Sequence, residues 1–276
     1  MTEPTTLAHQ QASKMYASDY GAVADQYAAV LEATLEPVAA RVVELAGAGQ
    51  GMELLDVATG TGLVARKAAA KGASCVGIDI APGMVEIARA LSPRTIEFRV
   101  ADAAALPFER GSFDAVTCAF GLSHMPDVPA VLAEVQRVLT PAGRFVDAAW
   151  GMAPRAPAFE AVLAVLARHV DEIHAFAGIL DEGTWADPER ARIAVADAGL
   201  SEVVIVTEPL AGRFADAEAA LAWTLTWPDY GRTVAALDQP QRIAFEREAL
   251  HAITKVADLT WEFAINYLVA RGPGHE

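Results

Sequence analysis

Cationic side chains are scarce in this chain. Twenty-one Lys and Arg stand against 36 Asp and Glu, a formal net charge of −15 over 276 residues. Affinity for nucleic acid rests on cationic contacts to phosphate, and no Lys/Arg cluster is present, which argues against DNA, RNA and anionic membrane as partners. The acidity itself reads as solubility. Cysteine is limited to Cys75 and Cys118, both inside predicted buried strands, where they read as small apolar residues in a reducing cytoplasm. No C-x-x-C or H-x-x-x-H spacing occurs among the cysteines and His9, His124, His169, His174, His251 and His275, so no metal is expected. A G-x-S-x-G nucleophile element is missing too. The longest charge-free stretch, Ala115 to Pro126, is too short to span a bilayer. The opening Met-Thr-Glu-Pro lacks the basic-then-apolar pattern of a secretion signal, so a cytoplasmic location is expected.

What is present is ample material for a core: 53% hydrophobic and 21% charged residues. Residues 1–48 read as helices, with Val23, Tyr27, Val30, Leu31 and Leu35 as one apolar stripe and Pro37 suited to the first position of a further helix. From 53 to 150, strands alternate with helices. The strands are Glu53–Ala58, Ser74–Ile80, Ile96–Ala101, Phe113–Phe120 and Gly143–Trp150; the helices lie near Leu63–Ala70, Pro82–Ala90 and Val128–Leu139. Near-continuous apolar strands suit a parallel sheet covered on both faces, with ligands at the carboxyl edge. Further helices are expected at Pro157–His169 and after Asp187-Pro188, and strands at Glu202–Leu210 and Trp261–Arg271. The stretch between the last two strands is helical in character, over Ala215–Leu225 and Pro240–Ile253, and an insertion of that length suits a cap over the ligand edge. The expected organisation is an N-terminal helical lid over 1–48, an α/β core over 49–210 completed by 258–271, and a helical cap over 211–257.

One segment directs the functional reading. Leu54-Leu-Asp-Val-Ala-Thr-Gly-Thr-Gly62 is an apolar run that carries Asp56 into a turn with Gly60 and Gly62 and then into a helical period. Strand, glycine turn and helix N-terminus is the arrangement that nucleotide-like ligands use, since glycine allows φ > 0 and close approach. Gly60-x-Gly62-x-x-Ala65 alone would also pass for a dinucleotide fingerprint. Five local features at ordered spacing strengthen it. Asp56, before the turn, suits a cofactor with a free ammonium. Asp79 ends the next strand about twenty residues past the glycines, the spacing at which a carboxylate takes ribose hydroxyls. Met84 can pack on an adenine face, and Asp102 can accept from an exocyclic amine. Phe113 to Leu122, followed by Glu134 to Arg144, completes the series. Each residue has an ordinary use as well: Asp56 or Asp79 as a cap of backbone amides, Met84 as core, Asp102 as a turn former.

The ordered series resembles the class I S-adenosylmethionine-dependent methyltransferases, in the branch of quinone-biosynthesis and small-molecule enzymes. The likeness is close over roughly residues 50 to 150. It implies a doubly wound, Rossmann-like α/β fold: a seven-stranded, mostly parallel sheet with N-terminal helices and a helical cap inserted before the last strand. It further implies S-adenosylmethionine as cofactor, with Asp56, Ala58, Gly60 and Gly62 under its methionine part. Asp79, Ile80 and Met84 fall at the ribose and adenine, Asp102 and Ala103 at adenine, and Phe120 at the sulfonium. Ala58-Thr59 stands where Gly-Cys is commoner in the family, and Ala142 where glycine is usual.

The implied enzyme is a transferase moving a methyl group to oxygen or carbon, with nitrogen left open, of a hydrophobic small molecule: a secondary metabolite, quinone, isoprenoid or indole, as in natural product biosynthesis. His124, just after the fourth strand, is the candidate base, since an imidazole titrates near neutral pH; it can equally bond backbone or shape the pocket. Tyr20, Tyr27, Trp150, Trp185, Trp223 and Trp227 are the candidate substrate-binding residues, aromatic faces suiting a bulky apolar acceptor, although core packing also uses such residues. Two rivals stand beside this reading. A nicotinamide-dependent oxidoreductase would bind NAD(H) and leave Asp56 and Asp102 without a task. A protein that keeps the cofactor as a scaffold for cyclisation or binding would release no S-adenosylhomocysteine. The N-terminal helices can pack on their own core or on a second copy, which leaves a homo-oligomer open.

Overall fold

A computed structural model describes residues 4–151, 155–170 and 185–272, with side chains from residue 11 onward. His174 and His275 fall outside these residues. The chain opens with α1 (Pro4–Val30) and α2 (Glu32–Ala46). Pro37 lies inside α2 and not at its start. The path breaks instead at Leu31, and the helix carries Pro37 at the loss of one ladder bond.

The core then alternates: β1 (Glu53–Val57), α3 (Leu63–Ala70), β2 (Ser74–Asp79), α4 (Pro82–Leu91), β3 (Glu97–Val100) and β4 (Phe113–Ala119). A short 3-10 turn over Leu122–His124 leads to α5 (Val128–Val138) and β5 (Leu139–Trp150). β5 starts earlier than the sequence suggests, because Pro141 sits where the β4 pairing slips register, a place where its missing N–H is tolerated. Next come α6 (Pro157–Leu166), α7 (Pro188–Asp197), whose Asp187 side chain accepts from two backbone amides, and β6 (Ser201–Arg213). The insertion holds α8 (Ala217–Leu225), α9 (Pro228–Ala235) and α10 (Gln239–Thr254), and β7 (Thr260–Arg271) closes the sheet.

The seven strands lie in the order β3-β2-β1-β4-β5-β7-β6. The first five are parallel, while β7 runs antiparallel to both neighbours. Strand alternation sends Leu54 into one core and Leu55 into the other, so each face is covered. One core packs under α2, α3, α6 and the insertion helices; the other packs under α5 and α7. Strand order reverses between β1 and β4, and a crevice opens at their carboxyl ends. No helix among the described residues is long and apolar enough to cross a membrane.

Candidate active site at the strand switch point

The loop after β1 is shaped by its own backbone and by one buried acid. Ala58 takes φ +52°, Gly60 +54° and Gly62 +85°. The Thr59 hydroxyl donates to Asp56 Oδ2 at 2.6 Å, and the Thr117 hydroxyl on β4 donates to Oδ1 at 2.8 Å. Asp56 is 1% exposed, and burial pushes its carboxyl up to about 6 against these bonds. Its geometry is that of a brace joining the turn to two strands. The two glycines differ. A Cβ at Gly60 would meet nothing within 4 Å, so this backbone faces open space. A Cβ at Gly62 would stand 2.9 Å from the Phe98 ring and 3.2 Å from Ala88, so close packing of α3 on β3 and α4 requires that glycine, which does not line the crevice cavities that Gly60 and Asp79 line.

Asp79 ends β2 facing the same crevice. The Gly60 amide donates to Oδ2 and the Ala81 amide to Oδ1, both at 2.9 Å, while burial raises its pKa. Each oxygen keeps a lone pair for a further donor. Asp79, Ile80, Met84, Ala58, Gly60 and Phe120 line one cavity of about 120 Å³. Asp102 and Ala103 lie in an adjoining cleft that shares Ala58, Asp79 and Ile80 with it. Phe120, in left-handed backbone at φ +62°, donates its amide N–H to the Ala148 carbonyl, and its ring stacks on Trp150 at 4.4 Å. Two non-glycine residues with positive φ thus flank the crevice, a strain of the kind that collects at functional sites.

A second cavity, of about 340 Å³, joins the first where Tyr20, His124, Trp150, Trp227 and Pro228 line both. Trp185 and Trp223 line the second, together with Phe159, Tyr230 and Phe263. The rings pack mostly edge to face: Trp150–Trp227 at 5.4 Å, Trp223–Trp227 at 5.3 Å and Trp150–Phe263 at 5.2 Å. Tyr20 and Tyr27 come from α1, which crosses α4 where Gly21 meets Gly83; a Cβ on Gly83 would stand 2.7 Å from the Gly21 carbonyl. Arg232 on α9 donates to Asp19 on α1 at 2.7 Å, tying the two coverings together.

His124 ends the 3-10 turn with its ring 5.6 Å from that of Tyr20 and 6.0 Å from Tyr16. The expectation of an imidazole titrating near neutrality is corrected: desolvation pushes it down to about 4, so it is neutral at working pH. Sequence reasoning missed several supports. Glu32 accepts from the Thr61 hydroxyl at 2.5 Å and from Arg66 at 2.8 Å, fastening α2 to the glycine turn. No local pattern links residues about thirty positions apart. Leu35, Gly121 and Met125 also line the first cavity, and Phe263 the second. Tyr16, which belongs to the N-terminal aromatic set with Tyr20 and Tyr27, lines the first as well, and Phe263 left a signal in the alternation of Trp261-Glu-Phe263.

A family described as "Methyltransferase domain" matches residues 55–147. Nocamycin O-methyltransferase of Saccharothrix syringae is 33% identical over 278 residues, covering 91% of this chain and 94% of that protein. A demethylmenaquinone methyltransferase of Thermus thermophilus is 47% identical over 111 residues, covering 38% of this chain and 50% of that enzyme. Among solved structures, the YcgJ protein of Bacillus subtilis aligns with a TM-score of 0.58 at 18% identity, over 86% of this chain and 98% of that one. The [4+2]-cyclase SpnF aligns at 0.52 and 20% identity, over 87% and 82%. At such identities the likeness is one of fold.

Proposed function

The chain belongs to the class I S-adenosylmethionine-dependent methyltransferases, and from that premise we propose that it methylates an oxygen atom of a hydrophobic small molecule of the natural-product type. The observation that carries this reading is the aromatic cavity joined to the cofactor crevice at His124 and Trp150. Oxygen is favoured over carbon because a relative matched over nearly its whole length, nocamycin O-methyltransferase, is an O-methyltransferase.

The crevice suits the cofactor. The open face of Gly60 leaves room for its methionine part, and the Asp79 carboxylate, fixed by two amides, accepts from the ribose hydroxyls. Met84 and Ile80 pack beside the adenine, and Asp102 accepts from its amine. Asp56 acts through the loop it braces. When bound, S-adenosylmethionine supplies the electrophilic methyl group, so the protein's task is to position the acceptor and keep the site dry. Phe120 and Trp150 wall the junction of the two cavities, and neutral His124 takes the acceptor's hydroxyl proton. Residues 1–48 serve as a lid and 211–257 as a cap, a division supported by Tyr20 and Tyr27 on one side and Trp223 and Trp227 on the other. Cys75 and Cys118 are buried free thiols, in keeping with a reducing cytoplasm.

The test is incubation with S-adenosylmethionine and a panel of lipophilic phenols, enols and hydroxyquinones, followed by mass spectrometry. A product 14 mass units heavier (one CH₂ gained), formed with S-adenosylhomocysteine, is expected (about 14, from the methyl-for-hydrogen exchange of the transfer chemistry). Product without S-adenosylhomocysteine would favour the scaffold role instead.

A further inference from the structure

Tyr20 holds a hydrogen-bond donor that no described residue uses. It lines both cavities, and its ring stands 5.6 Å from that of His124, edge to face. The place of its hydroxyl follows from the charges it feels: Asp79 of the cofactor crevice on one side, Asp229 of the acceptor cavity on the other. Tyr27, further along α1, feels Asp79 and Glu32 instead and lines the cofactor side alone. Burial above all, then Tyr27, Asp229, Tyr16 and Asp79, raises the Tyr20 pKa, so the phenol keeps its proton at working pH and can give it to a hydrogen bond. A ligand that fills the cavity and displaces water must bring an acceptor atom to this hydroxyl, or leave the donor unmade at a cost in affinity.

His124 narrows the choice of that atom. Desolvation pushes its imidazole down to about 4, so it is a far weaker base than a free histidine. An isolated phenol, with a pKa of about 10, is a poor match for such a base, whereas a hydroxyl conjugated to a carbonyl is a much stronger acid. Ionising that hydroxyl also spreads charge onto the carbonyl oxygen, where a fixed donor stabilises it. Resting on the reading of this cavity as the acceptor site, we infer that the acceptor is a hydrophobic keto-enol, whose hydroxyl meets His124 and whose conjugated carbonyl oxygen accepts from the Tyr20 hydroxyl. The enol oxygen gives an electron pair to the methyl carbon, the pair of the broken S–CH₃ bond stays on sulfur, and the enol proton goes to His124.

Two pairs of probes test this on the full chain. With S-adenosylhomocysteine loaded, calorimetry compares 2-acetylnaphthalene with 2-isopropenylnaphthalene, which has the same shape and a methylene in place of the carbonyl oxygen. The ketone is expected to bind about tenfold more tightly, and Tyr20→Phe, which keeps the ring and removes the hydroxyl, should bring the two within about twofold of each other. With S-adenosylmethionine, 2-acetyl-1-tetralone, a diketone that enolises, should be O-methylated at least about tenfold faster than 2-naphthol. Equal binding of ketone and hydrocarbon, a ketone preference that survives Tyr20→Phe, 2-naphthol methylated as fast as the tetralone, or methylation of neither overturns the inference. So does a loss of S-adenosylhomocysteine affinity in Tyr20→Phe, which would give the hydroxyl to the cofactor. Should that variant fail to fold, the rankings on the wild type decide alone. Failure of the wild type to load S-adenosylhomocysteine would instead overturn the proposed function; normal loading with the wrong rankings overturns the keto-enol acceptor only.

Discussion

Replacing each glycine of the turn by alanine should separate two properties that the motif combines. At Gly60 the new Cβ would meet nothing within 4 Å, so the folded protein bears only left-handed backbone strain at φ +54°. That strain is about 1–2 kcal/mol, roughly 2–4 °C in melting temperature for a chain of this size. The methyl group would occupy the face left open to the cofactor, and S-adenosylhomocysteine affinity should fall at least about tenfold, the equivalent of about 1.4 kcal/mol. Gly60→Val, bulkier and branched, should abolish binding. At Gly62 the same strain applies at φ +85°, with the Cβ 2.9 Å from Phe98 and 3.2 Å from Ala88. Overpacking of that kind adds about 1–3 kcal/mol, for a total near 2–5 kcal/mol. Gly62→Ala should therefore melt distinctly lower than Gly60→Ala while keeping most of its affinity below the transition. Thermal denaturation and calorimetry on both variants read the two effects. Wild-type affinity in Gly60→Ala, or a Gly62→Ala protein as stable as the wild type, would refute the assignment of roles.

His124→Ala should lower kcat about 100-fold, as for loss of a proton acceptor, and the wild-type rate should show no inflection near pH 6.5, because burial has moved the imidazole to about 4. An inflection near 6.5 that vanishes in the variant would contradict the desolvation argument; an unchanged kcat would remove the base. Asp147 on β5 is 1% exposed with Oδ1 unpartnered, beside Cys118 and Leu268 in register, and burial raises its pKa well above the usual range. An acid with a raised folded pKa stabilises most below its unfolded pKa of about 3.9 and loses that contribution as pH rises through the folded value. Asp147→Val should thus raise stability at pH 7 by about 1–3 kcal/mol and by less at pH 4; denaturant titration giving a larger gain at pH 4 would count against it.

Much of the core was legible because its signals are local. β1, the glycine turn and α3 follow from an apolar run, two glycines and a change of period within seventeen residues, and α3 runs over Leu63–Ala70 as that period suggests. The Asp79 position follows from strand-end spacing. What escaped the sequence depends on packing at a distance. Ala58 and Phe120 are not glycines, so nothing in their identity announces positive φ. Thr117 meets Asp56 only after β4 pairs with β1. Gly62 matches the motif whichever neighbour requires it, and only the closeness of Phe98 tells which. The imidazole of His124 shifted for a reason no spacing reveals, the walls that bury it. α9 was not marked off within the insertion because Gly231 interrupts its helical pattern, a residue of low helix propensity.

The Asp19–Arg232 tie spans 213 positions. At about 5–20 residues per second, a ribosome takes roughly 10–40 seconds to travel from one partner to the other. During that interval the tyrosines of α1 have α4 and the loop after β4 beside them, and the wall from the insertion is missing. The reaction chamber is therefore among the last parts that translation can finish, together with β7, the strand that closes the sheet and carries Phe263. Chaperones would meet this protein with an open chamber over an unfinished sheet, and slowing of the ribosome between the two ends would prolong that exposure.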